Sequence, residues 1–338
     1  MGENDLVSRN SVRRAGQNVK NDKATKEDYR IISLWRSKHI SIITAMVNAI
    51  KRKLNNNKSN GVIIARRLKR LSSMELKLKR FQDMQLDRMQ DIAGVRIIFK
   101  ELAQVEKFQK SMETTYLKGS RKFKLISTKD YISNPKNDGY RSIHQIFEYN
   151  DNVKMRLDLQ IRTKLQHYWA TAVEVLDMKS KTKIKQGSGE SWNREFFKLC
   201  SELFSLLENP NKENNKKDIC QKIDKLDKEY NILQNLKALA LSNKNIENQA
   251  NNKNYYFIVL LDFDKSTLRI TGFKKRDFEE AKKLYDFYEE DLRDKNSDVV
   301  LISLDEVKML KKAFPNYYLD SNSFIDVITK ELQGLIKA

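Results

Sequence analysis

The sequence predicts an α/β (α+β) protein, with a mixed β-sheet flanked by helices and a small ββαβα unit behind it. Three observations carry this. Between Lys154 and Thr163, Met155, Leu157, Leu159 and Ile161 alternate with Arg156, Asp158, Gln160 and Arg162, the period of a half-buried strand. Before that stretch, segments with helical apolar spacing alternate with short apolar runs, as in a sheet covered by helices. From Tyr255 onward, two strand-like runs, a helix, a further strand and a capped helix follow at short spacing.

The 338 residues suffice for two folded units, and 40% hydrophobic with 33% charged content is compatible with a globular core. Sixty-five basic against 45 acidic residues leave +20, and a pI near 9.6 points to polyanionic partners such as RNA or nucleotides. Cys200 and Cys220 lack a CxxC partner and are too few for a zinc site or disulfide framework, so a reducing cytoplasm is the expected setting. No apolar run approaches the roughly 20 residues of a membrane span, and no apolar signal segment follows Met1, so no membrane partner is expected.

Residues 1–25 read as a loose basic arm. Ile31, Leu34, Trp35, Ile42, Ile43, Met46, Val47, Ile50 and Leu54 give a helix from Lys26 to Leu54 with a core-facing stripe. Ser72 and Glu75 form a capping box for the next helix, around whose start Arg67, Lys69, Lys77 and Arg80 gather; that start suits an anion, or the charges are a solvated face. Asp91–Phe99 is a short buried strand, its entry carboxylate suited to a turn or to a magnesium ion. A helix over 103–116 and a strand over 123–128 precede the loop Tyr131–Gly139. There Lys136, Tyr140 and Arg141 set an aromatic ring beside positive charge, fit to stack a nucleobase and neutralise phosphate, and a strand over 142–149 follows. The polar face of 154–163 presents two guanidinium groups, a carboxylate and an amide. That set suits phosphates and a metal, or an ordinary charged outer face. Residues 181–250 read as a helical extension and linker: a helix over 192–207, a near-heptad seam over 218–241, and an Asn-rich linker over 243–254. In 251–338, strands over 256–261 and 268–273, a helix over 277–292, a strand over 299–303, a helix capped by Ser303 and Glu306 and a last helix from Ser321 contain no catalytic cluster, which leaves binding or regulation.

DIAGVRI, DYISNPKNDGYRSIH, LDLQIRT and QHYWATAVE resemble, in order, the motifs of the synthetase domain shared by RelA/SpoT proteins and small alarmone synthetases. The resemblance spans about residues 60–180 and places this pyrophosphokinase domain within 26–180. It implies transfer of the ATP β,γ-pyrophosphate to a ribose 3′-hydroxyl. It also implies roles: Asp91 and Asp158 as magnesium ligands, with a carboxylate helping to deprotonate the acceptor hydroxyl, and Tyr140 stacking on the acceptor base. Arg67, Lys69, Ser73, Lys77 and Arg80 would cradle ATP, while Lys136, Arg141, His144, Gln160, Arg162 and His167 would line the acceptor and phosphate region. The family's Glu in its EIQIRT motif is Asp158 here, one methylene (about 1.5 Å) shorter. The favoured expectation is that the backbone compensates; a contribution from Glu174 is the alternative. The three histidines include no His-Asp pair, so the metal-dependent hydrolase of long family members is not expected.

VLLDF, VVLISLDEVKMLKKAFPNYYLD and SFIDVI look like the C-terminal half of CapRel-type fused toxin–antitoxins. There a zinc-finger-like domain without metal ligands restrains the synthetase until a phage protein releases it. The family's Tyr-Pro-Asn-Tyr plug of the adenine site would correspond to Phe314-Pro315-Asn316-Tyr317, with Phe314 and Tyr317 autoinhibitory; plain core packing is the other reading. Three functions stay open: a pyrophosphokinase acting on the tRNA CCA end, a synthetase of guanine-nucleotide alarmones, and a catalytically inert binding module.

Overall fold

In the computed structural model, the described residues are 7–56, 61–118, 122–150, 154–180, 191–209, 215–241, 245–248, 250–251, 253–262, 264–265, 267–292, 295, 297–303, 310–318 and 320–336. Helices α1 (Arg9–Lys20) and α2 (Lys26–Asn56) lead into strand β1 (Ile63–Leu68), α3 (Leu71–Arg80), β2 (Ala93–Phe99), α4 (Leu102–Tyr116), β3 (Phe123–Asp130), β4 (Ile143–Tyr149), β5 (Met155–Thr163) and α5 (Lys164–Ser180). Then come α6 (Ser191–Glu208), α7 (Lys216–Tyr230), α8 (Ile232–Leu241), β6 (Asn245–Asn248), β7 (Tyr256–Asp262), β8 (Thr267–Phe273), α9 (Phe278–Asp291), β9 (Ser297–Ser303), α10 (Leu310–Ala313), a 3-10 turn (Pro315–Tyr318) and α11 (Asn322–Ile336).

Among the described residues, one sheet of nine strands, ordered β3-β4-β5-β2-β1-β9-β7-β8-β6, runs through both units. The central pair β2/β5 is parallel and the neighbouring β1/β2 and β4/β5 pairs are antiparallel, so the sheet is mixed as expected. The C-terminal unit joins it edge to edge: β9 pairs with β1 through Arg66↔Ser303 and Arg67↔Ile302. The apolar sides of β2 and β5 (Ala93, Val95, Ile97, Leu157, Leu159, Ile161) pack under α1, α2 and α4, and Trp35 is core. A second core joins α5, α6, α7, α8 and α11, burying Phe196, Phe197, Phe204 and Phe324.

Four expectations are corrected. Over its described residues the basic arm is not loose: Val12, Ala15 and Val19 of α1 are buried, Gly16 lets the helix touch Leu86, where a Cβ would lie 2.6 Å from Leu86 Cβ, and Arg9 and Arg13 both bind the buried Asp87 carboxylate. The Ser72–Glu75 capping box does not form; Arg70 is the N-cap of α3 and gives no side-chain hydrogen bond. The 218–241 seam is two helices, because Asn231 enters the left-handed region at φ 51° and ends α7. Within the expected linker, Asn245–Asn248 forms β6, parallel to β8. Glu306 of the expected Ser303–Glu306 cap lies outside the described residues.

Candidate active site

Register decides which side chains meet. Arg67 lies opposite Gly94, Gly94 opposite Asp158, Arg96 opposite Gln160, and His144 opposite Gln160, so one face of β1, β2, β4 and β5 carries Arg67, Arg96, His144, Asp158, Gln160 and, two residues on, Arg162. The polar half of the β5 alternation is therefore the floor of a site.

At one end of this floor, Asp91 precedes β2 and is clamped by Lys69 Nζ at 3.0 Å and Lys77 Nζ at 2.9 Å. Burial works against its charge, but the two ammonium groups outweigh burial and hold the carboxyl below its usual range. Lys69 is pushed down by burial, opposed by Asp91. Ser73 shares α3 with Lys77, while Arg80, at the far end of α3, stacks its guanidinium over Phe81, 5.4 Å from the ring centroid.

In the middle, His144 bridges Asp158 and Tyr140: Nδ1 lies 3.0 Å from Asp158 Oδ1 and Nε2 2.9 Å from the Tyr140 hydroxyl. Gln160 donates to the other Asp158 oxygen at 2.9 Å. Desolvation opposes charge on His144, and Tyr140 and Asp158 overcome it, lifting the imidazole to about 9. Burial likewise favours the neutral Tyr140 phenol, but His144 and then Arg162 bring it down to about 8. The shortened carboxylate is thus held by side chains on both oxygens.

Tyr140 sits between Tyr131 (6.1 Å between ring centroids) and Trp169 (6.3 Å), and the Lys136 ammonium lies 4.7 and 4.8 Å from the Tyr131 and Tyr140 rings. The loop can turn here because Gly139 adopts φ 91° and a Cβ would come within 3.1 Å of Lys198. Arg141 does not join the site floor; it donates to Ser201 Oγ and the Ile132 carbonyl, clamping the loop to α6.

At the other end, Arg162 is 2% exposed and its Nη2 donates to His167 Nδ1 at 2.6 Å. Burial and then the nearby Arg96 lower its guanidinium to about 9, and burial and Arg162 keep His167 neutral. With Nδ1 accepting, His167 Nε2 donates to the Lys312 carbonyl at 3.2 Å. The C-terminal segment therefore lies on this face. Phe314, 2% exposed, lines a crevice with Arg67, Gly94, Arg96 and Gln160. The Tyr317 side chain lies outside the described residues; its backbone is in the 3-10 turn.

Sequence reasoning missed Arg96 and Tyr131. Arg96 donates toward Gln160 Oε1 at 3.4 Å, and its place two residues after Gly94 on a strand was the signal that could have found it. Hard oxygen donors and a carboxyl held ionised fit a magnesium ion that arrives with a triphosphate, and among the described residues no cluster of three or more His, Cys, Asp or Glu side chains forms a self-contained metal site.

Residues 66–183 match the family model described as "Region found in RelA / SpoT proteins". The chain is 34% identical over 90 residues to "GTP pyrophosphokinase YwaC" and 31% identical over 100 residues to "GTP pyrophosphokinase YjbM", both of Bacillus subtilis (strain 168). These alignments take in 25% and 28% of this chain and 40% and 45% of the relatives, so the chain spans under half the length of each curated relative it matches. The solved small alarmone synthetase 2 of Bacillus subtilis has a TM-score of 0.44 at 22% identity, covering 54% of this chain and 95% of that one, and a GTP pyrophosphokinase family protein of Streptococcus pneumoniae has 0.45 at 20% identity, covering 59% and 98%. Arg67, Lys69, Lys77, Asp91, Arg96, His144, Asp158, Gln160 and Arg162 all lie within the matched residues, and over 66–183 this chain matches a RelA/SpoT-type region.

Proposed function

We propose that the protein is an ATP-dependent pyrophosphokinase that moves the β,γ-pyrophosphate of ATP to the 3′-hydroxyl of the tRNA CCA end, and that its C-terminal unit restrains it. The observation that carries the transferase reading is the single strand face on which three guanidinium groups, Arg67, Arg96 and Arg162, lie beside Asp158 and near the Lys69–Asp91–Lys77 clamp. Triphosphate oxygens are the natural counterions of such a face. Lys69 and Lys77 hold and orient phosphate, and the arginines take up charge that develops on the transferred group. Tyr140 offers its ring to the acceptor base, and Asp158, steadied by His144 and Gln160, takes the hydroxyl proton. Asp91 and Asp158 would hold a magnesium ion, which when bound neutralises the triphosphate.

A tRNA acceptor is supported by the distribution of charge: residues 1–250 hold 50 basic and 29 acidic residues, net +21, whereas 251–338 hold 15 and 16, net −1. The restraint is supported by Phe314 on the site face. A phage protein that binds the C-terminal unit is the proposed trigger, in a cytoplasmic setting; no described helix is long and apolar enough to cross a membrane. The names of the curated relatives favour a second reading, with GDP or GTP as acceptor and an alarmone as product. Transfer of label from γ-32P-ATP, abolished by Asp91→Ala, tests the chemistry; no transfer to any acceptor from a folded, released chain contradicts it.

A further inference from the structure

We propose that Glu289 of the C-terminal unit is a positioning residue for α3, so that this unit braces the site it also covers. The inference rests on the reading of α3 as part of the ATP cradle. A helix start leaves backbone N–H groups in need of acceptors, yet Arg70 supplies none to α3 and the first turn contains no acidic residue. The acceptor comes from α9. Glu289 Oε1 takes the Leu71 N–H at 2.8 Å and is fixed there by the Tyr285 hydroxyl at 2.7 Å. Its Oε2 meets Arg36 Nη1 of α2 at 2.5 Å, with Arg36 only 3% exposed and lying over the Tyr285 ring at 5.1 Å. Ser33 donates to the neighbouring Asp286 at 2.7 Å, and Arg70 pairs with Asp298 of β9.

The contact supports α3 without obstructing its phosphate side. Ser72 and Glu75 line the crevice at Glu289, whereas Ser73, Lys77 and Arg80 fall on the opposite side of the helix at 3.6 residues per turn. Phe314 lies on the site face itself, beside Arg67 and Arg96, whereas α9 packs on the opposite face of the sheet. The C-terminal unit is thus attached at three places: by β9 on β1 with the Glu289 cap, by the Leu310–Tyr318 segment over the site, and by α11 in the core it shares with α5, α6, α7 and α8. Opening requires only the Leu310–Tyr318 segment to lift; α11 keeps its place in the helical core, and the β9 and Glu289 attachment keeps α3 in order while it does.

The test compares Glu289→Ala and Glu289→Gln in the full-length Phe314→Ala chain, reading amide hydrogen exchange over residues 69–81 and the affinity for a non-hydrolysable ATP analogue. Glu289→Ala is expected to speed exchange and weaken the analogue by about fivefold each, the scale of one lost helix cap, whereas Glu289→Gln keeps an oxygen for Leu71 and rescues most of both. If Glu289→Ala does not fold, Glu289→Asp keeps a counterion near Arg36 while withdrawing the cap and gives the same two shifts. Unchanged exchange in a folded Glu289→Ala or Glu289→Asp chain overturns the brace even if the analogue binds tightly. Faster exchange in a chain that binds no analogue supports the cap and refutes the cradle reading.

Discussion

Replacing Phe314 by alanine tests the restraint. The ring is 2% exposed and packs with Ile63 and Ala65 of β1, Ile98 of β2 and Val175 of α5, and with Phe257, Val259 and Ile302 of the C-terminal unit. Burying a phenylalanine in such a cluster is typically worth about 3–5 kcal/mol against alanine. If about 3 kcal/mol of that holds the Leu310–Tyr318 segment on the face, its loss shifts the closed-to-open ratio by roughly 100-fold, since each 1.4 kcal/mol is a factor of ten. The remaining attachments, β9 on β1 and α11 against α5–α8, stay in place. Binding of a fluorescent ATP analogue to full-length Phe314→Ala should therefore tighten by one to two orders of magnitude, and the transfer rate should rise with it. Melting is measured in parallel, because a residue serving only as core lowers the midpoint without changing affinity. A folded variant with wild-type affinity and rate refutes the reasoning.

Two further predictions concern the scaffold. His39 is fully buried with Nδ1 2.9 Å from the Trp35 carbonyl, and desolvation lowers it from 6.5 to about 4. The unfolded chain then binds the proton more readily than the folded one, so stability is retained above pH 6.5 and falls by about 3 kcal/mol as pH drops to 4. Urea unfolding of His39→Gln should show a flatter acid limb, and an unchanged one contradicts this. Asp87→Ala leaves Arg9 and Arg13 without their shared carboxylate and should cost about 1–3 kcal/mol, read as faster proteolysis within residues 9–20; wild-type resistance there would mean the apolar side of α1 suffices.

The β5 alternation made the site floor legible, because a two-residue period states which side chains share a face whatever lies above them. The composition around Val12, Ala15 and Val19 concealed α1: three apolar residues at helical spacing do not show that Leu86 and Asp87 wait to receive them. The Ser72–Glu75 pattern misled for a related reason. A local capping box competes with a carboxylate delivered from 218 residues away, and only tertiary structure reveals that Glu289 prevails. The β1–β9 pairing is equally non-local, which is why two units read as separate share one sheet. Asp158 posed the sharpest question in the sequence, and what the sequence could not show is its neighbours on β4 and β5: His144 and Gln160 lie against its two oxygens.

The central claim, pyrophosphate transfer to tRNA under restraint by the C-terminal unit, is tested most directly by incubating full-length Phe314→Ala with γ-32P-ATP and, in parallel, total tRNA, GDP and GTP. The account predicts label on tRNA that disappears with Asp91→Ala and is far weaker in the wild-type chain. Label on guanine nucleotides alone contradicts the proposed acceptor, and equal labelling by wild type and variant contradicts the restraint.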